Sequence, residues 1–454
     1  MSKFHGFIED ESGAYTVWSL VWFSLYVAIG GLAVDMTDAY RTQSLLQATG
    51  DASSLAAVMS LPDEADGRSQ AIAYSKDNML QNNNGTVLRG SDVTFGTYEI
   101  ATRTFTPGDT SNMNFEKPDA AMVLTRRAAA NENPLATNFL RIIGLTDWDV
   151  NTASIAIKYV PECIRGGFVA YNRVDTNSNN YYFNNICIHG QNLVDDNGQN
   201  CAVEVQNGGT FDPGVIVSMP NKPDLCRLPQ VYNNNTGLEA AHTEGDVYPA
   251  DVAKLEEIID GLTDLVTVDN PYLPSYITAS SVTQINNSYA GPYVAGEVYY
   301  ATCQGGNDLT LPSNTTIEDV VIVSECGIRS DTGLTLTNVA IGSKGVGNGQ
   351  DPLASHQINF ASQPNLGSTT FCATGDGGVE IYAYASAHIA AGTVASGLRV
   401  VVGGDLELTA QVDILGVSAQ AGNDIDHTSN GDAGLCPNGT LPPGVFAWHH
   451  RLVY

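Results

Sequence analysis

Residues Ala14 to Val34 read AYTVWSLVWFSLYVAIGGLAV, 21 positions without a formal charge. At about 1.5 Å per helical residue, such a run spans roughly the 30 Å hydrocarbon core of a bilayer. The hydroxyls of Thr16, Ser19 and Ser24 can bond back to their own helix. Tyr15, Trp18, Trp22 and Tyr26 stand in its N-terminal half, where aromatic rings mark a membrane–water interface. The reading is a transmembrane helix over 14–34, bounded by Ala14 and Val34 and anchored by Trp18, Trp22 and Tyr26, with residues 1–13 as a cytoplasmic tail. A cleaved signal peptide fits poorly. MSKFHGFIEDE sets Lys3 against Glu9, Asp10 and Glu11, the apolar run exceeds a usual h-region, and Gly31-Leu32-Ala33 is the nearest approach to a cleavage site.

Working outward from this helix, all eight cysteines (Cys163, Cys187, Cys201, Cys226, Cys303, Cys326, Cys372 and Cys436) lie on its C-terminal side. An even number there suits up to four disulfides in an oxidising compartment, which places the bulk of the chain outside the cytoplasm. Lys3 and Arg41, one on each flank, orient the helix only weakly by charge. No C-x-x-C spacing or Cys/His array occurs, so zinc and thioredoxin-like chemistry are disfavoured. Closeness in sequence points to Cys187–Cys201 and Cys303–Cys326 as pairs.

Acidic residues outnumber basic ones 49 to 20, for a net charge of −29. That field repels phosphate backbones, so nucleic acid is not expected as a partner. The acids are spread along the chain, as on a solvated surface. With 45 glycines, many Asn, Ser and Thr, and 15% charged residues, the composition describes a turn-rich β-protein. The expected class is α+β, mainly β.

Residues 35–82 read as a helical stalk. Leu45, Ala48, Ala52, Leu55 and Met59 make one apolar stripe up to Pro62, expected to pack on the chain's own β-domain or on a partner helix. Gly50 offers a place for a kink, and a second helix is expected from Asp66 to Leu80. Residues 83–160 read as a small α+β domain, with strands at Val93–Phe95, Tyr98–Ile100, Ala121–Thr125 and Ala153–Tyr159. Between the last two, NPLATNFLRIIGL (Asn133 to Leu145) is expected to be a short apolar helix entered through proline and left at Gly144.

The words along this region are specific in their order. Phe7, Asp10 and Gly13 precede the apolar run, which closes in Gly31-Leu32-Ala33-Val34-Asp35. Asp38, Tyr40, Arg41, Leu46-Gln47-Ala48, Asp51-Ala52 and Leu55-Ala56 follow, then VTFGTYEIATRTFTPGD (Val93 to Asp109), DAAMVLTRRA and NPLATNFLRIIG. Over about residues 1–160 this series resembles the TadE/TadG-like proteins of Flp-type (tight adherence) pilus systems. The resemblance implies a single-pass bacterial inner-membrane protein with a cytoplasmic N-terminus and a periplasmic C-terminal domain. Its implied partners are the lipid bilayer and the pilus-assembly proteins of the cell envelope. Two departures limit what carries over. Trp18 stands where pilin-like members have a glutamate five residues after the processing glycine, and the D-x-S-x-S metal-adhesion motif is absent.

Residues 161–270 read as β-rich with a helix near 251–266, in which Asp251 caps a face of Val252, Leu255, Ile258, Ile259, Leu262 and Leu265; the stretch to Pro274 then reads as a linker. Residues 271–454 form a β-rich C-terminal domain. Short runs such as Ile186–Ile188, Val203–Val205, Val320–Val323, Leu398–Val402, Leu406–Leu408 and Val412–Ile414, parted by Gly/Asn/Asp turns, suit a parallel β-helix or a β-sandwich. Asn-rich turns between very short strands favour the β-helix.

The chemistry on offer is sparse. Asp175/Asn177/Asn179, Asp195-Asp196-Asn197-Gly198 and Asp424/Asp426 with Asn430-Gly431-Asp432 carry the hard oxygens a weak calcium site needs, although ordinary Asx turns account for each. Pairs such as Asp405 with Asp413 would serve a polysaccharide-active β-helix. His189 reads as part of a turn, and His449 and His450 as a surface pair. Neither G-x-S-x-G nor a P-loop occurs, and no motif asks for a cofactor. The expectation is a non-catalytic envelope protein of pilus assembly or anchoring. A surface adhesin or pilus-associated filament subunit is the alternative, and a membrane-tethered polysaccharide-active enzyme a distant third.

Overall fold

Ser12 to Met59 form a single helix of 48 residues in this computed structural model, which describes residues 12–100, 102–108, 118–192, 201–268, 270–303, 307–345, 356–360, 363–409, 411–428 and 430–453. Its first half is long and apolar enough to cross a membrane, and Val17, Trp18, Leu20, Phe23 and Tyr26 project from it exposed. Its second half lies on a sheet. The buried face there is Leu46, Thr49, Gly50, Ser53, Ser54, Ala57 and Val58, whereas Leu45, Ala48 and Met59 are exposed. Of the apolar stripe anticipated from the sequence, Leu55 packs on the core and Ala52 is half-buried, while the other three positions face away from the contact. Small side chains win it because they let the helix approach closely, and the Ser54 hydroxyl meets that of Ser154 at 3.1 Å. Ser154 Oγ donates to Asp51 Oδ1 at 2.6 Å, and Thr125 Oγ1 donates to the Leu46 carbonyl at 2.9 Å. The helix runs through Gly50 unbroken.

The chain divides into two compact units, residues 1–159 with 448–454, and residues 160–447. The first holds an antiparallel sheet in the order Thr104–Pro107, Val93–Glu99, Asp119–Arg127, Val150–Tyr159, His449–Val453. Ala57, Val58, Leu61, Ala71, Val93, Phe95, Val123 and Ala156 form its core. The last strand comes from the end of the chain, with His449 opposite Tyr159. The second unit is thus inserted between two neighbouring strands of the first. The region expected to be a helix over Asn133–Leu145 is mostly a hairpin. Leu135–Ala136 pairs with Asp147–Trp148, and only Leu140–Ile143 is helical, a 3-10 turn ended by Gly144 at φ +93°.

Among the described residues, the ladders of the second unit are parallel, in one long sheet and one of eight strands. In the long sheet the chain enters mid-stack at Gly167–Ala170 and steps outward through Cys187–Gly190 and Ile216–Met219 to His242–Glu244. It resumes at the opposite edge, Thr283–Asn286, and returns strand by strand until Asp413–Ala421 pairs with Gly167–Ala170. Residues 245–282 therefore carry the chain from one edge to the other. Their helix, Leu255–Gly261, sets Leu255, Ile258, Ile259 and Leu262 against Val298, Val321, Val323, Ala340 and Val401. This cover explains strands such as Val320–Val323, which are buried on both faces.

Asp251 does not cap that helix. It is buried, and its Oδ2 accepts from Arg399 at 2.7 Å, with both side chains almost wholly out of solvent. Gln420 and the Ala447 amide donate to the same carboxylate, and Arg399 lies over the Phe446 ring at 4.0 Å and donates to the Val445 carbonyl. One carboxylate ties the start of the crossing segment to two long-sheet strands and to the exit of the unit.

Candidate functional site

The eight-stranded sheet is built from very short strands in which two buried residues flank a polar one: Val203-Glu-Val205, Val174-Asp-Thr176, Ile425-Asp-His427, Leu406-Glu-Leu408, Ala387-His-Ile389, Ile358-Asn-Phe360, Ile328-Arg-Ser330 and Leu309-Thr-Leu311. Flanking side chains point into the core, so the middle residue of each strand points out. Parallel register then stacks those middle residues in one file: Glu204, Asp175, Asp426, Glu407, His388, Asn359, Arg329, Thr310. At about 4.8 Å per strand, the four carboxylates span roughly 14 Å.

Electrostatics divide the file. At the acidic end Glu204 is held by Arg173 at 3.6 Å and by Arg227. Burial, followed by the neighbouring charges of Glu204 and Asp426, raises the Asp175 carboxyl to about 6. Burial, with Asp424 as the largest charge acting in the same direction, raises Asp426 to about 6. Two adjacent carboxyls thus exchange protons near neutrality, the property a general acid requires. Toward the other end His388 Nδ1 meets Asn359 Oδ1 at 3.0 Å, and Arg329 Nε donates to Thr310 Oγ1 at 3.0 Å.

The cysteines named from sequence are all paired: Cys163–Cys187, Cys201–Cys226, Cys303–Cys326 and Cys372–Cys436. Cys303–Cys326 is as expected from closeness, but Cys187–Cys201 is not formed. Among parallel strands three of these cystines join residues 23 to 25 positions apart, and 14 residues fall short of that. Of the membrane-anchor residues, Trp18, Trp22, Tyr26 and Val34 are exposed.

Of the calcium candidates, Asp175 and Asp426 stand side by side on neighbouring parallel strands. Asp195–Gly198 lies outside the described residues, and no group of three or more His, Cys, Asp or Glu that could hold a metal occurs among those described. Asp413 opens a strand of the long sheet and Asp405 immediately precedes the strand Leu406–Leu408 of the other, and each accepts an amide 19 positions further on, from Asp424 and Asp432, both at 3.2 Å. Their role is to cap neighbouring backbone. His189 is a buried strand residue, bonded to Ser218 and Gln191 at 2.7 Å each, where a turn was expected. His449 and His450 lie in the terminal strand of the first unit. The file itself was not anticipated. Its signal is the repeated short triplet with an apolar first residue and a polar middle one, but the order of stacking is hidden because the chain enters mid-stack.

A family model described as Domain of unknown function (DUF7867) matches residues 167–437. No curated protein and no solved structure matches the chain.

Proposed function

The chain belongs to the family described as Domain of unknown function (DUF7867), a description that assigns no activity, and from its architecture we propose a membrane-anchored, non-catalytic component of Flp/Tad-type pilus assembly or anchoring. The observation that carries the anchor is the helix Ser12–Met59, exposed and apolar in its first half and packed as a core element of the first unit in its second. Four cystines on its C-terminal side support a periplasmic ectodomain and a cytoplasmic N-terminus. The pilus assignment rests on the resemblance of residues 1–160 to TadE/TadG-like proteins. We read the second unit as a parallel β-helix. Parallel ladders, same-rank residues in files and cystines one circuit apart support that over a sandwich, whose sheets are antiparallel.

Fractionation with external protease tests the anchor: ectodomain fragments appear only after the outer membrane is opened, and the chain stays with the inner membrane. Recovery in sheared extracellular filaments overturns this in favour of a filament subunit. Deleting the gene reduces piliation; unchanged pili and adhesion remove the pilus role. A second reading, a polysaccharide-active surface, is favoured by the adjacent carboxyls Asp175 and Asp426, both shifted to about 6. It requires turnover of a polysaccharide that is abolished in Asp175→Asn and Asp426→Asn.

A further inference from the structure

Beside the long helix, the hairpin between Ala136 and Asp147 carries Phe139, Leu140, Ile142 and Leu145. Leu140 is buried, but Ile142 is 76% exposed, Leu145 51% and Phe139 42%. Such a concentration of exposed apolar side chains on one short loop is unusual for a water-facing surface. Its position is specific. Phe139, Leu140 and Ile142 face Phe23, Ser24, Val27 and Ala28 across a groove of about 340 Å³. At 1.5 Å per residue, those helix residues lie roughly 10–18 Å to the N-terminal side of Asp35.

The hairpin is held there from below and from above. A Cβ on Gly31 would stand 2.5 Å from that of Phe139, so only glycine admits this approach. Asp35 accepts from the backbone amides of Asn138 at 2.8 Å, Phe139 at 3.0 Å and Leu140 at 2.7 Å. Thr137 donates from its hydroxyl to the Leu145 carbonyl at 2.5 Å, and the Leu145 amide bonds back to the Leu140 carbonyl. These bonds engage the amides of Asn138, Phe139, Leu140 and Leu145, groups whose exposure makes an irregular loop costly in a dry medium. Arg141, at the tip, has a side chain long enough to bring its charge to the headgroups.

We propose that residues 139–145 form a second membrane contact, a hairpin that enters the leaflet on the ectodomain side and lies in the acyl and interfacial region beside the spanning helix. The inference rests on the membrane-anchor reading: whatever medium surrounds Phe23–Ala28 also meets Ile142. The contact fixes the depth and tilt of the helix more firmly than a single span can.

The test uses the full chain reconstituted in phosphatidylcholine/phosphatidylglycerol vesicles with doxyl-labelled lipids. One environment-sensitive fluorophore is placed on Ile142→Cys, on Val21→Cys within the span, or on Tyr171→Cys in the second unit. Quenching at position 142 is expected to approach that at 21 and to exceed that at 171 severalfold. Strong quenching at 21 with position 142 no more quenched than 171 overturns the proposal while leaving the anchor in place, as when a protein partner covers the loop. Absence of quenching at 21 overturns the anchor reading, and the proposal with it.

Discussion

Asp175 and Asp426 make a pH prediction whose sign follows from their shifts. Both carboxyls titrate near 6 in the folded chain, above the ordinary range of the unfolded one. Below about pH 3 the acids are neutral in both states. From there to about pH 6 the unfolded chain gives up protons that the folded chain keeps, so stability falls as pH rises and the deficit persists above. Asp175→Asn or Asp426→Asn is expected to raise stability at pH 7.5 by on the order of 1 kcal/mol, once screening of these partly exposed groups is allowed for, and to change little at pH 4. Urea midpoints at the two pH values measure this. Asp251 behaves oppositely. Its loss leaves Arg399 buried without its counter-charge, and Asp251→Ala is expected to cost about 3–5 kcal/mol, read as a fall in melting temperature. Replacing both partners by Leu and Met is expected to cost less than either single change.

Among the elements, cystines and hairpins give the sharpest outcomes. Non-reducing digestion is expected to recover Cys163 with Cys187 and Cys201 with Cys226, and no peptide joining Cys187 to Cys201. Cys372–Cys436 closes the longest loop, 64 residues, so its removal by alanine at both positions is expected to cost about 4 kcal/mol on the loop-entropy account. Asp35 clamps the apolar hairpin through three amides. Burial pushes its carboxyl upward, but those hydrogen bonds prevail and hold it below the usual range. Asp35→Ala is expected to speed hydrogen exchange at Asn138, Phe139 and Leu140 by at least about tenfold while leaving the sheet amides protected.

For the whole molecule, the insertion of one unit in the other has a direct consequence. Tyr159 and His449 face each other across an antiparallel ladder, so residues 160–447 leave and return at adjacent strand ends. Replacing them by a short Asn-Gly turn is expected to leave the first unit folded, as judged by a cooperative melt and dispersed amide signals in detergent. Collapse of that sheet would show that the unit depends on its insert.

The membrane-length helix, the mainly β remainder of the chain and the pairing of the cysteines were legible in residues 14–34, in the Gly/Asn turns and in the even cysteine count, because apolar length, turn chemistry and cysteine number are local or additive properties. The contact face of the stalk was legible only in part, through Leu55. Leu45 and Met59 carry more apolar surface than Gly50 and Ser53, yet close approach to the sheet, a property of two elements together, selected the smaller residues. The carboxylate file and the cystine partners were likewise set by register between strands far apart in the chain. Ile425 beside Val174, and Asp251 beside Arg399, arise only because the chain starts in the middle of its own stack. Composition and periodicity determined which segments fold and into what; only the tertiary structure decided which of them meet, since contacts between distant segments are set by the path of the backbone.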